Sequence, residues 1–182
     1  MGRERLSDSV AAKQDELYQS AVAELGRALD RLASGYEADP DKRHDLRQEI
    51  HFQLWRSLAA FDGRCSLKTW TLRVAHNAAV SYVGREQRAN SRLISLEEVE
   101  HGAATPDGRP PDIDHARACL QLAQLIRELK PLDRQIMISY LEELEAASIS
   151  EITGLSAANV AMKIHRIKNI LARRFREEKR YV

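Results

Sequence analysis

The sequence predicts an all-α protein made of two small helical domains joined by a flexible linker, the second ending in a helix-turn-helix. Three observations carry that prediction. Apolar residues recur at three- and four-residue spacing along most of the chain, with almost no alternating, strand-like pattern. A glycine- and proline-bearing stretch between Asn90 and Asp114 interrupts the periodicity. Near the C-terminus a short apolar-striped segment, a glycine and a basic amphipathic segment follow one another.

Leu17, Ala21, Leu25, Ala28, Leu29 and Leu32 form the apolar stripe of a first helix, punctuated by Gly35 and by Glu37-Ala38-Asp39-Pro40. Asp41 is expected to cap a second helix, with Leu46, Ile50, Leu54 (with Trp55) and Leu58 as its buried stripe. Phe61-Asp62-Gly63 ends that helix, and Cys65-Ser66 follows in a loop. A third helix begins near Leu67, carries Trp70, Leu72, Val74, Ala75, Ala78 and Val83, and runs toward Arg85 and Arg88. Gly84 should weaken its last turns.

Gly102, Pro106, Gly108, Pro110 and Pro111 then argue for a linker of about twenty residues. A fourth helix spans His115 to Leu129, with Leu120, Leu122, Ala123, Leu125, Ile126 and Leu129 apolar. Pro131 opens a fifth at the position where a missing N–H costs nothing, lined by Ile136, Met137, Tyr140 and Leu141. Glu145 to Thr153 reads as a short helix with Ala147, Ile149 and Ile152 apolar. Gly154 breaks it, because glycine most easily takes the left-handed conformation that ends a helix. Ser156 can cap the last helix, which keeps Val160, Ile164, Ile167 and Leu171 on one stripe.

Charge is uneven along the chain although the total is only +1. Residues 1–63 carry nine basic and twelve acidic side chains, and residues 64–92 carry six basic and one acidic. Residues 93–155 carry five basic and twelve acidic, and residues 163–182 carry eight basic and two acidic. Two basic blocks separated by an acidic one point to two separate contacts with a polyanion.

Other classes fare badly. No run approaches the length of a transmembrane helix. Met1 to Val10 is polar and charged, unlike a secretory signal. Cys65 and Cys119 stand alone, without the spacing of a zinc site or a disulfide framework. A cytoplasmic protein with reduced thiols, no metal and no cofactor is expected. No Gly-rich phosphate loop, zinc-protease motif, paired catalytic carboxylates or Ser/His/Asp spacing appears, so an enzyme is not expected. The alternative within the binding class is a stand-alone helix-turn-helix regulator using its N-terminal helices for dimerisation or ligand sensing.

Several segments, taken together in order and spacing, resemble a known family. Asp45-Leu46-Arg47-Gln48-Glu49-Ile50-His51-Phe52 followed by Trp55 resembles a signature of bacterial sigma factors. So do Phe61-Asp62-Gly63 with Leu67-Lys68-Thr69-Trp70, and Arg73-Val74-Ala75-His76-Asn77. Leu129-Lys130-Pro131-Leu132-Asp133-Arg134-Gln135 resembles the opening of that family's C-terminal domain. Ile149, Gly154-Leu155-Ser156, Asn159-Val160 and His165-Arg166 resemble its final helix-turn-helix. The short linker points to the extracytoplasmic-function (ECF) subgroup, and the resemblance covers nearly the whole chain after residue 15. Ser81, Ala161, Ser148 and Ser150 depart from the residues most usual there.

The resemblance implies a protein that binds core RNA polymerase and promoter DNA, assists strand opening in a stress response, and is controlled by an anti-sigma factor. Residues 8–90 would bind polymerase and the −10 element and melt the promoter. Residues 91–114 would be the linker, and residues 115–182 would bind the −35 element. Opening DNA costs a few kcal/mol for each base taken from the stack. A pocket that captures an extruded base, with aromatic and basic groups along the strand, can offset that cost. By resemblance, that pocket lies in the loop after the second helix, with Asp62, Gly63, Arg64, Cys65, Ser66 and Lys68. Trp70, Arg73, Asn77 and Arg85 on the next helix complete the melting group, although Trp70 is also a natural core residue. The Asn77 amide both donates and accepts, which suits a base edge. Asp45, Gln48, Glu49 and Arg56 would be the outward polar groups facing polymerase, though plain solvation explains such residues equally well. In the last helix the first turns, with Ser156, Ala157, Ala158, Asn159, Met162 and Lys163, would enter the major groove. Asn159 and Lys163 can read base edges, and Arg166 and Lys168 suit phosphates.

Overall fold

The computed structural model describes residues 2–93 and 113–178. Among them every regular element is a helix. The order is α1 (Gly2–Tyr36), α2 (Pro40–Leu58), α3 (Leu67–Leu93), α4 (Ile113–Arg127), α5 (Pro131–Leu141), α6 (Ala146–Thr153) and α7 (Ala157–Glu178). The linker expected at 91–114 falls almost wholly outside the described residues. The chain packs as two units. Among the described residues the first holds 2–33 and 44–93, and the second holds 34–43 and 113–178.

In the first unit, three helices enclose one apolar centre. Ala21, Leu25, Ala28, Leu29 and Leu32 of α1 are buried, as the spacing predicts. The α2 stripe of Leu46, Ile50, Leu54 and Leu58 is also buried. Trp55 departs from the expectation: it is 40% exposed, because Leu54 already fills the core-facing position of that turn. Its indole donates to Asp15 at 2.7 Å, and Gln14 donates to its carbonyl at 2.7 Å. Tyr18 meets His51 at 3.0 Å. The cap of α2 is Asp39, not Asp41. The Asp39 carboxylate accepts the backbone N–H groups of Asp41 (2.9 Å) and Lys42 (3.0 Å). Pro40 then occupies the first helical position, where its fixed φ suits the helix.

α3 contributes Leu72, Ala75, Ala78 and Ala79, together with His76, which is fully buried. Burial pushes the His76 pKa down to about 3, so its ring is neutral at ordinary pH. Gly84 does not end α3, which runs on to Leu93. The Arg88 side chain donates to the Gly84 carbonyl at 2.8 Å, bracing the turn a glycine would loosen.

In the second unit α7 packs against α4, α5 and α6, and α5 also packs against α4 and α6, around Leu125, Ile126, Ile136, Met137, Ile149, Val160, Ile167 and Leu171. Leu120, Leu141 and Ala147 are exposed rather than core, having the period of the stripe but facing away from a neighbour. Pro131 begins α5 as expected. Arg134 reaches back and donates to the carbonyls of Arg127 and Leu129, satisfying the free end of α4. α5 ends in a hydrogen-bonded cap: Leu144 N–H reaches the Ser139 carbonyl at 3.1 Å, and Glu143 N–H reaches that of Tyr140 at 3.0 Å. Glu143 takes φ 60 there, a conformation that costs any residue but glycine.

Candidate nucleic-acid interface

Local hydrogen bonds and ring contacts shape the loop between α2 and α3. Asp62 is exposed and accepts the Arg64 backbone N–H at 3.2 Å and its guanidinium at 2.5 Å. These bonds, the backbone one foremost, hold the Asp62 carboxyl below its usual range. Gly63 sits between them at φ 77 and lets the chain turn. Ser66 caps α3: its hydroxyl accepts the Thr69 N–H at 3.0 Å, and its carbonyl accepts that of Trp70 at 3.0 Å. Trp70 ties the loop to α2, donating to Ser57 at 3.1 Å and meeting Phe61 edge-on at 5.4 Å. Arg73 lies 5.4 Å from the Trp70 ring and donates to Cys65 at 3.4 Å. Thus Ser66 and Trp70 shape the loop, while Asp62, Gly63 and Arg64 are exposed to solvent. Lys68 is half-buried in the first turn of α3.

Asn77 and Arg85 line a groove of about 290 Å³ between α2 and α3, with Glu49, Gln53, Ser57, Val74, Ala78 and Ser81. Arg85 pairs with Glu49 at 3.5 Å, and Gln53 donates to the same carboxylate at 3.1 Å. Glu49, expected from sequence to face polymerase, therefore shares a site with two residues expected to face DNA.

Asp45, Gln48 and Arg56 are exposed on α2, and Gln48 meets His44 at 2.9 Å. Phe52 stands among them, 55% exposed, and sequence reasoning assigned it no role. A signal was available. Leu46, Ile50 and Leu54 already occupy the core face, so a residue two positions from Ile50 must point away from it.

In the second unit, Gly154 takes φ 74 between α6 and α7, and its N–H reaches the Ser150 carbonyl at 2.9 Å. Ser156 caps α7 as predicted, accepting the Asn159 N–H at 3.3 Å. Ala157, Ala158, Asn159, Met162 and Arg166 are exposed on α7. Met162, at 65%, is the most exposed large apolar side chain among the described residues. Lys163 is different: its ammonium donates to Asp133 of α5 at 2.6 Å. Lys168 donates to Tyr140 at 3.3 Å and lies 5.3 Å from its ring. No group of three or more His, Cys, Asp or Glu among the described residues could hold a metal ion. No described helix is long and apolar enough to cross a membrane.

Two family models match successive parts of the chain. Sigma-70 region 2 matches residues 13–89, and sigma-70 region 4 matches residues 119–171. The chain belongs to the ECF sigma factors of RNA polymerase. Such sigma factors are transcription initiation factors that bind core polymerase and promoter DNA. The ECF sigma factor SigK of Mycobacterium sp. (strain KMS) is 28% identical over 181 residues, covering 92% of this chain and 86% of SigK. The ECF sigma factor SigW of Bacillus subtilis (strain 168) is 23% identical, covering 96% of this chain and 91% of SigW. Among solved structures, the fold resembles the sigma factor RpoE in complex with the anti-sigma factor NepR from Bartonella quintana. That likeness has a TM-score of 0.67 at 16% identity, over 85% of this chain and 93% of that one.

Proposed function

We propose that this sigma factor recruits core polymerase to promoters, reads their −10 and −35 elements, and assists strand opening under the control of an anti-sigma factor. The observation that carries the reading is the joint presence, on one chain, of the Asn77–Arg85 groove and the glycine-turned helix α7. Residues 8–90 serve polymerase and the −10 element, 91–114 link, and 115–182 serve the −35 element. The exposed α2 residues Asp45, Gln48 and Arg56 face polymerase, with Phe52 as an apolar anchor between them. Asp62, Gly63, Arg64 and Lys68 receive the separating strand, on a loop whose shape Cys65, Ser66, Trp70 and Arg73 maintain. Asn77 reads a base edge beside it, with Arg85 along the same groove.

In α7, Asn159 reads a base edge and the apolar Met162 suits a thymine methyl group. Ser156, Ala157 and Ala158 allow close approach, while Arg166 and Lys168 take phosphates. The RpoE likeness, a sigma factor solved with its anti-sigma factor, supports control of that kind. The protein acts in the cytoplasm, where polymerase is, and catalyses no reaction of its own. Run-off transcription with core polymerase, this protein and a library of promoter fragments tests the reading. Specific transcripts starting downstream of a shared pair of elements are expected. Absence of any protein-dependent transcript refutes it.

A further inference from the structure

α7 carries three cations along its central turns, and they are not equivalent. Arg166 is exposed. Lys163 is two-thirds covered, its ammonium 2.6 Å from an Asp133 carboxylate of which only 16% is exposed. Lys163 flanks the core stripe of Val160, Ile164 and Ile167, which turns it toward α5. Asn159, Met162 and Arg166, at i, i+3 and i+7, share the outward face. Asp133 lies in the first turn of α5, where the helix dipole favours its negative charge and α5 packing fixes its place. A partly buried charge pair is screened by salt less than an exposed one.

We propose that Asp133 masks Lys163, withholding one cation of the recognition helix from DNA phosphates. The masking limits sequence-independent binding and leaves discrimination to Asn159 and Met162. It rests on the proposed role of α7 in the upstream element. Phosphate contacts carry no sequence information, so each one added strengthens binding to every duplex alike. A sigma factor with one cation fewer on this helix dwells less on random DNA for the same base-reading face. The mask also explains why Lys163, which sequence places among the base readers, faces a carboxylate instead.

The test uses holoenzyme reconstituted with core polymerase and the full chain. Binding to a promoter fragment and to a random duplex is measured across a salt series. Three forms are compared: the parent, Asp133→Asn, and Asp133→Asn combined with Lys163→Gln. Asp133→Asn keeps the shape and frees the lysine. Its log K against log salt line should steepen by about 0.9 on both DNAs, so that the affinity lost on going from about 50 to 200 mM salt grows by a further factor of about 3.5. The double variant should return to the parental slope, because the freed cation is gone. If it keeps the steeper slope, the effect came from deleting the Asp133 charge itself, and the masking is refuted. An unchanged slope in Asp133→Asn refutes it equally. If the parent fails to prefer the promoter over the random duplex, the promoter-reading function fails first, and the masking that depends on it falls too.

Discussion

His76 gives the first sigma unit a pH sensitivity that can be worked out from its burial. Its ring is fully enclosed on α3, and the folded pKa is about 3 against an ordinary 6.5. Between these values the unfolded chain binds a proton that the folded chain refuses. Stability is therefore complete above about pH 6.5 and is lost as pH falls toward 3. Each pH unit below 6.5 costs about 1.4 kcal/mol, so the loss at pH 5 is about 2 kcal/mol. His51, half-buried against α1, is shifted down by burial and adds a smaller loss of the same sign. Urea unfolding at pH 7, 6 and 5, followed by tryptophan fluorescence, isolates this unit, since Trp55 and Trp70 are the only tryptophans. The parent should lose stability steeply below pH 6.5. His76→Leu, which has nothing to protonate there, should lose it with a markedly shallower slope, the remainder belonging to His51. Parallel curves for parent and His76→Leu between pH 7 and 5 would refute the reasoning. So would a His76 ring signal titrating near 6.5 in the folded protein by NMR.

Three further outcomes are expected. Arg166→Ala should weaken holoenzyme binding at every promoter and flatten the salt dependence by about one phosphate, whereas Asn159→Ala should cost about 1–3 kcal/mol at a single upstream position; equal losses on specific and random DNA from Asn159→Ala would remove it as a base reader. Asn77→Ala with Arg64→Gly, leaving the capping Ser66 in place, should spare polymerase binding but reduce permanganate reactivity of unpaired thymines, and pre-melted promoter should rescue part of the loss. Gly154→Ala should lower the stability of the second unit by about 1 kcal/mol, because its Cβ meets nothing and only the left-handed backbone is penalised, while Glu143→Gly should raise it by a similar amount; thermal melting by circular dichroism checks both signs.

Much of the fold was legible from local spacing. The stripe Leu46, Ile50, Leu54 and Leu58, the start of α5 at Pro131, the Gly154 turn and the Ser156 cap all depend on residues within a few positions of one another. The α2 cap is also local, and it falls at Asp39 instead of the expected Asp41. A proline at the first helical position makes Asp39, not Asp41, the residue before the helix.

The sites were legible as residue types on helix faces, and less so as chemistry. Asn159, Met162 and Arg166 emerge exposed on α7 because periodicity alone assigns them a face. What the chain could not state locally is which side chain meets another across helices. Lys163 and Asp133 are thirty residues apart, and their pairing exists only because α5 lies beside α7. Glu49 and Arg85 meet only because α3 returns alongside α2. His76, four residues after Leu72 and three before Ala79, shares their stripe, but only packing between helices encloses its ring fully. Helical period and turn chemistry act over a few residues and so are written in the sequence. Ion pairs, masked charges and shifted pKa values depend on distances across the packed core, which only tertiary structure sets.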